Sequence, residues 1–336
     1  MNITLNGFFD KNFGDDVMHR MIVKSFPEHD FYVSSREREM FSHLEGLGNV
    51  HINEDIPAQG ILLNVIGTGF MYRGKRAKAE KIFSMFTSHK KHYQKSALIN
   101  CSLETFDSKT GERFARYDLK EYDFITCRDD KTYKYLTDSF KNKEINLISD
   151  MVFASGLEKT IANTGEGLLG VAPVRRLYTD GNYEYYKELA EFCDAYVEQH
   201  NKKVLLFAFD SGMENDICAA LSIRAMMNRK DSAEIVMYDG DIDAFASAMG
   251  RCGVFVTSRF HGLVLSLLGG VPCVAVSDRE KLNRLCTKYT VPFIGKSEVT
   301  SEKLKKLVSE CKLTVDKSDF ADAVLHIEKL KQFISE

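Results

Sequence analysis

Two short stretches of this 336-residue chain hold side chains whose types and spacing can do chemistry. The first is Ser258-Arg259-Phe260-His261-Gly262, where a hydroxyl, a guanidinium and an imidazole fall within five residues of an otherwise apolar run. A guanidinium binds carboxylates and phosphates through paired hydrogen bonds. An imidazole moves protons near neutral pH or binds an anion. The competing reading is a buried arginine paired with a carboxylate and a histidine that caps a helix. Burying a cation in apolar surroundings without a partner is costly, so either reading requires an anion close to Arg259. The second stretch is Asn12-Phe13-Gly14-Asp15-Asp16. It reads either as a glycine turn with acidic capping of a helix, or as a loop that offers a carboxylate to a sugar hydroxyl or as a base.

Other signals are weaker. Gly67-Thr68-Gly69 lets backbone approach a ligand closely, although a plain turn looks the same. Arg128 follows a strand, and Lys281 falls on the first turn of a helix, so both are candidates for holding an anion. Arg175-Arg176 and His89-Lys90-Lys91-His92 read as solvated charge, the latter with no metal-ligand company.

The elements that must position these residues are those of an α/β protein. Residues 254–256 and 273–276 have strand character, and between them an apolar segment, 263–268, is stopped by Gly269-Gly270 and Pro272. This is one βαβ unit, with Arg259 and His261 at the carboxyl end of its first strand, where open α/β sheets bind ligands. A helix start there also favours an anion. Strands are expected at 3–5, 31–33, 50–52, 61–66, 97–101, 124–127, 145–148, 168–174, 204–209 and 235–238. Helices are expected at 16–26, 75–93, 183–201, 215–229, 242–249, 280–289, 301–311 and 319–335. Ser277-Asp278-Arg279-Glu280 reads as a capping box for the helix that follows. The aperiodic, small and polar stretch 154–167 reads as a linker. The expected architecture is two Rossmann-like, doubly wound domains, residues 1–157 and 158–336, facing across a cleft in the GT-B-like manner, with the cleft the place for a ligand.

Composition narrows the function classes. A net charge of −3 offers no general basis for nucleic acid binding. The early charges Asp10, Lys11, Asp15 and Asp16 argue against a secretory leader, and the apolar run 262–276 is too short for a bilayer and broken by glycine and proline. Eight cysteines without Cys-x-x-Cys spacing read as reduced thiols of a cytoplasmic protein, neither a disulfide framework nor a zinc site.

Taken together, the motifs resemble those of the polysaccharide pyruvyl transferases. Asn12-Phe13-Gly14-Asp15-Asp16 is similar to that family's N-terminal Asn-x-Gly-Asp-(Asp/Glu) motif. Ile125-Thr126-Cys127-Arg128-Asp129 is similar to its mid-chain segment. Ser258-Arg259-Phe260-His261-Gly262 followed by Gly270-Val271-Pro272 is similar to its C-terminal signature. Gly67-Thr68-Gly69 stands where the family often has three glycines.

The resemblance implies transfer of a pyruvyl group from phosphoenolpyruvate onto two hydroxyls of a sugar, forming a cyclic ketal in cell-surface polysaccharide synthesis. It implies Arg259, Arg128, Ser258, Gly262 and Lys281 on the donor side, and His261 as the acid. Asn12, Gly14, Asp15, Asp16, Gly67 and Gly69 would face the acceptor, with Asp16 orienting or deprotonating a hydroxyl. The scheme needs no metal and no cofactor besides the donor itself. The implied partner is a saccharide acceptor. The eight Lys/Arg of residues 73–95, against the single acid Glu80, suit a polyprenyl diphosphate-linked one at the inner membrane surface, with peripheral contact at most. The alternative is a nucleotide-sugar-dependent GT-B glycosyltransferase, for which Glu280 offers a ribose-binding carboxylate. A saccharide- or phosphate-binding protein without turnover would carry the same residues.

Overall fold

The computed structural model describes residues 1–34, 38–55, 60–67, 93–175, 182–312 and 315–336. Residues 75–92 of the expected helix over 75–93, with its basic face and the His89-Lys90-Lys91-His92 run, and Thr68, Gly69 and Arg176 lie outside the described residues; Tyr93 is described and is not helical. The chain divides into two compact units, and neither is continuous in sequence. The first comprises Met1–Phe9, Val17–Ala154 and Phe320–Glu336, and the second Asp10–Asp16 and Ser155–Asp319.

The first unit is built on β1 (Asn2–Gly7), β2 (Asp30–Val33), β3 (Val50–Ile52), β4 (Ile61–Val65), β5 (Lys95–Cys101), β6 (Phe124–Cys127) and β7 (Ile145–Leu147). These form one sheet in the order β3-β2-β1-β4-β5-β6-β7, and every pairing is parallel. The order reverses direction between β1 and β4, which defines a doubly wound sheet with its switch point there. Helix α1 (Phe13–Ser25) follows β1, α2 (Lys109–Lys120) follows β5, and α3 (Asp130–Ser139) follows β6. Two of these begin with textural caps the sequence supplies: Ser108 accepts the Gly111 amide at 3.1 Å and Asp129 the Thr132 amide at 3.0 Å.

The last segment of the chain belongs to this first unit. A kinked 3-10 stretch, Lys317–Val324, leads into helix α10 (Leu325–Ser335). The kink is at Phe320, whose ring stacks on Phe153 with centroids 4.1 Å apart. His326 is fully buried between the Thr126 hydroxyl, 2.8 Å from Nδ1, and the Ser149 carbonyl, 2.9 Å from Nε2. Phe333 stacks on Phe124, and its carbonyl accepts from Lys95 Nζ at 3.0 Å.

The second unit repeats the plan. Strands β8 (Leu168–Ala172), β9 (Val204–Ala208), β10 (Ala233–Met237), β11 (Cys252–Thr257), β12 (Cys273–Val276) and β13 (Phe293–Ile294) pair in the order β10-β9-β8-β11-β12-β13, again all parallel. Every residue of β8, β9 and β12 is buried, which is why these strands read as continuous apolar runs and do not alternate. The helices are α4 (Asn182–His200), α5 (Ile217–Met226), α6 (Ile242–Met249), α7 (Phe260–Gly269), α8 (Glu280–Lys288) and α9 (Ser301–Glu310). In α7 the whole stretch from Gly262 to Leu268 is buried. It ends at Gly270, whose φ of 73° is the left-handed conformation that closes a helix and that glycine adopts without strain.

Two expectations are revised, and a third gains detail. Helix α5 starts two residues later than 215 because Asn215 has φ of 48°, which no helix admits. Ser277 does not cap α8. Its amide still pairs with the Ile294 carbonyl at the sheet edge, its hydroxyl accepts the Arg279 amide at 2.9 Å, and Arg279 itself is the N-cap residue. The 154–167 stretch is a connection with its own anchors: Leu157 and Ile161 are buried, and the Thr164 amide donates to the Gly250 carbonyl at 3.0 Å.

Candidate active site

The carboxyl ends of the second sheet gather most of the residues singled out by type. Strand β11 ends at Thr257, beside β8 at the switch point of that sheet. Ser258 and Arg259 follow at once, and Arg259 is the N-cap residue of α7, with His261 in the first turn. Ser258 is buried and its hydroxyl lies 2.6 Å from the phenol oxygen of buried Tyr185 on α4. Lys281, in the first turn of α8, places Nζ 5.6 Å from the centroid of the Phe260 ring. Gly262 is buried against Thr257 and completes the turn.

The 12–16 turn, although it follows β1, is packed in this same unit. Its backbone joins the end of β9: the Phe13 amide donates to the Phe209 carbonyl at 2.9 Å, and Asn12 bridges to Asp210. Asn12 Nδ2 also donates to the Asp210 carboxylate at 3.2 Å, and the Gly14 amide donates to Asn12 Oδ1 at 3.1 Å. The fully buried Phe13 ring packs among Phe209, Tyr238 and Phe245. This contact carries Gly14 up against the His261 ring on its Nδ1 edge, where a Cβ would overlap the imidazole. Asp16 is fully buried, and its carboxylate accepts from the Tyr238 hydroxyl at 2.8 Å. Burial pushes the Asp16 carboxyl well above its ordinary range, against the pull of that hydrogen bond. Asp15 is partly exposed on the first turn of α1.

Arg259 has the anionic partners that its burial demands. One terminal nitrogen pairs with Asp216 and the other with Glu214, and the side chain is 9% exposed. Burial alone would disfavour its charge, but Asp216 and Glu214 outweigh that and hold the guanidinium firmly protonated. Both carboxylates come from the loop after β9, residues 209–216. Asp216 is fully buried and also accepts the amides of Arg175 and Asp210. Asp210 accepts the amides of Glu214 and Asn215. The loop thereby connects the two motifs, with Asn12 at one end and Arg259 at the other. None of Asp210, Glu214, Asp216, Arg279 or Tyr238 stands out by type in the sequence. The available signal was indirect: a buried arginine needs a carboxylate, and Asp210-Ser211-Gly212-Met213-Glu214-Asn215-Asp216 is an acidic loop directly after a buried strand.

Arg128 and Gly67 lie in the first unit, at the carboxyl ends of β6 and β4. Arg128 is paired with Asp150, and its other terminal nitrogen donates to the Gly67 carbonyl; the Arg128 and Asp150 side chains are 3% and 2% exposed. Asp150 also accepts from Asn100 Nδ2 at 3.2 Å and from the Val152 amide at 2.9 Å. This cation therefore fastens the strand ends together and is neutralised where it sits.

The two doubly wound parallel sheets define a GT-B-like protein. Solved structures of that architecture are similar over the whole chain. The UDP-GlcNAc 2-epimerase of Methanocaldococcus jannaschii, in complex with UDP-GlcNAc and UDP, aligns with a TM-score of 0.66 at 11% identity, covering 100% of both chains. The Neisseria meningitidis UDP-GlcNAc 2-epimerase bound to UDP-GlcNAc aligns at 0.62 and 10% identity, also covering 100% of both. A glycosyltransferase from Rickettsia africae aligns at 0.50 and 10% identity, covering 99% of this chain and 97% of that one. At such identities the likeness concerns the fold. Residues 12–279 match the family model for polysaccharide pyruvyl transferase, and the chain belongs to that family. No curated protein matches its sequence. Among the described residues, no helix is long and apolar enough to cross a membrane.

Proposed function

We propose that the protein transfers a pyruvyl group from phosphoenolpyruvate to two hydroxyls of a saccharide, forming a cyclic ketal and releasing phosphate. The observation that carries this reading is the packing of Gly14 against His261, which joins the two family motifs in one site although they are far apart in sequence. In the reaction, a proton is delivered to C3 of the donor, leaving C2 cationic. One sugar hydroxyl bonds to C2 and gives up its proton. The bond from C2 to the phosphate oxygen then breaks, its electron pair leaving with the phosphate, and the second hydroxyl bonds to C2 to close the ring, its proton passing to the released phosphate. His261 is the group we assign to the proton at C3 or at the leaving phosphate, and the Gly14 contact fixes its ring for that task. Arg259, Ser258 and Lys281, beside the first turn of α7, supply the charge and donors that a carboxylate and a phosphate require.

Asp16 supports the site from within the second unit, and Arg128 braces strand ends of the first. Asp16 is buried on Tyr238 and sets the 12–16 turn. Arg128, ion-paired with Asp150, fixes the loop ends of the first unit. The saccharide acceptor follows from the family. A lipid-linked form of it rests on the basic residues of the 73–91 stretch; Lys95, the last of the basic residues counted with them, instead starts β5 and holds the Phe333 carbonyl. Reversing charge at Lys75, Lys78 and Lys81 should raise the Michaelis constant for a polyprenyl diphosphate-linked acceptor and leave that for a free sugar unchanged.

A donor screen read by phosphate release and by thermal stabilisation tests the main reading, since a ligand that binds only the folded state raises the melting temperature. Phosphoenolpyruvate at millimolar concentration should stabilise the protein and release phosphate with an acceptor present. His261→Ala should lower turnover more than donor affinity. Stabilisation by a uridine or guanosine diphosphate sugar alone, with no phosphate released from phosphoenolpyruvate, would establish the glycosyltransferase instead. Against that alternative, Ser277-Asp278-Arg279-Glu280-Lys281 is highly charged and offers no aromatic ring on which a base would stack.

A further inference from the structure

Three loops at the carboxyl edge of the second sheet meet on one carboxylate. Glu214, after β9, contacts Arg259, after β11, and its Oε1 lies 3.3 Å from Arg279 Nη2, after β12. Burial would raise the Glu214 carboxyl, but the two guanidiniums outweigh it and hold it below its ordinary range, so it is ionised at neutral pH.

The two acids on Arg259 are not equivalent. Asp216 is fully buried, short, and fixed by two backbone amides besides Arg259. Glu214 is 33% exposed, has a longer and more flexible side chain, and among the described residues the partners of its carboxylate are the two guanidiniums. It follows Met213, which is 75% exposed. Arg279 is itself 41% exposed, so one face of the cluster opens to solvent. Charge leads to the same distinction. Arg259 and Arg279 carry two positive charges; Glu214 and Asp216 already match both, and Asp210 acts on Arg259 as well. A ligand bearing a carboxylate would enter a cluster without net positive charge, and so with no net attraction, unless one of the acids leaves.

We propose that Arg259 and Arg279 form a subsite for the carboxylate of a small anionic ligand, and that Glu214 is an internal carboxylate occupying it until the ligand displaces it. Asp216 stays in place and keeps the Arg259 guanidinium oriented. Glu214 then competes with the ligand, and the apparent affinity is the intrinsic one reduced by the fraction of molecules in which Glu214 has swung away. The identity of the ligand as phosphoenolpyruvate rests on the pyruvyl-transfer reading; the subsite does not.

The test is calorimetric titration of the full chain and its Glu214→Gln and Arg279→Gln variants with phosphoenolpyruvate and, separately, with pyruvate, a carboxylate without a phosphate. Glutamine keeps the size of the side chain and removes the charge that competes. Glu214→Gln should bind at least one probe about tenfold more tightly than the unmodified protein, ~1.4 kcal/mol. Arg279→Gln, altered at a half-exposed side chain, should bind it about tenfold more weakly. Equal or weaker binding of both probes by a folded Glu214→Gln variant means that Glu214 does not compete for the subsite and overturns the proposal. Should Glu214→Gln not fold, unchanged affinity of Arg279→Gln overturns it alone. Tighter pyruvate binding by Glu214→Gln, with no phosphoenolpyruvate binding to any form, keeps the subsite and removes pyruvyl transfer. Binding of neither probe to any form removes both.

Discussion

Gly14 and Asp16 are the residues whose roles depend most on single atoms. A methyl group at position 14 has no room beside the His261 ring, so Gly14→Ala must turn the imidazole or push the turn away. Misplacing a catalytic group by about an ångström costs on the order of a hundredfold in rate. Gly14→Ala should therefore lower turnover by roughly that factor while the donor still stabilises the protein against heat; a variant with normal turnover would remove His261 from the chemistry. Asp16 offers a contrast. Its buried carboxyl favours the protonated form, so the neutral Asp16→Asn retains an acceptor for Tyr238. That variant should keep most of its turnover, whereas Asp16→Ala, which leaves the Tyr238 hydroxyl without this acceptor, should lose about 1–3 kcal/mol of stability. Loss of turnover in Asp16→Asn at unchanged melting temperature would make Asp16 a proton carrier and not a support.

At the scale of the element, the β11–α7–β12 unit couples stability to the site. Leu263, Leu265 and Leu267 are 0–2% exposed on α7, whose first turn carries His261. Truncating a buried leucine costs about 2–5 kcal/mol, set by how far the surroundings collapse. Leu265→Ala should lower the denaturant midpoint accordingly without changing the slope of the transition; a cost under about 1 kcal/mol would mean that α7 is less tightly packed than its burial indicates. The turn at the head of α7 is also where the sequence was most readable. A β-branched run, a polar turn and an apolar segment closed by Gly269-Gly270 and Pro272 have one reading as a buried βαβ unit. The start of α5 and the cap of α8 were less readable. Each depends on a backbone partner or conformation, the Ile294 carbonyl for Ser277 and the left-handed Asn215, that no local pattern announces.

For the molecule as a whole, the return of α10 to the first unit makes acid stability depend on a histidine near the C-terminus. Burial lowers the His326 pKa to about 4, against an ordinary value near 6.5; Ser149, Asp150 and Asp322 oppose the shift and Arg128 adds to it. A neutral His326 in the folded state means that the unfolded chain binds the extra proton between these values. The stability it contributes is complete above pH 6.5 and is lost as the pH falls toward 4. His326→Gln should cost about 1–3 kcal/mol at pH 8 through lost hydrogen bonds. It should also reduce the slope of unfolding free energy against pH over that window by up to ~1.4 kcal/mol per unit, one proton's worth. His19 and His43, which burial lowers to about 3 and about 2, titrate in both proteins, as does Asp118, which burial raises to about 7 with the opposite sign. The difference between the two slopes therefore isolates His326, and parallel slopes would show that it is not held neutral.

What the sequence determined by itself is what short-range physics encodes. Apolar runs of strand length separated by amphipathic segments specify two parallel sheets, and the motifs fall at strand ends because a helix must begin where each strand stops. The partners of those motifs were decided only by the tertiary structure. Arg259 finds its carboxylates on a loop more than forty residues earlier in the chain, the 12–16 turn packs with the second sheet although it leaves the first, and α10 packs with the first although it follows the second. A buried charge must be matched by whatever anion the fold brings within reach, and a buried ring by whatever surface fits it. Those matches depend on distances in space that residue order does not specify.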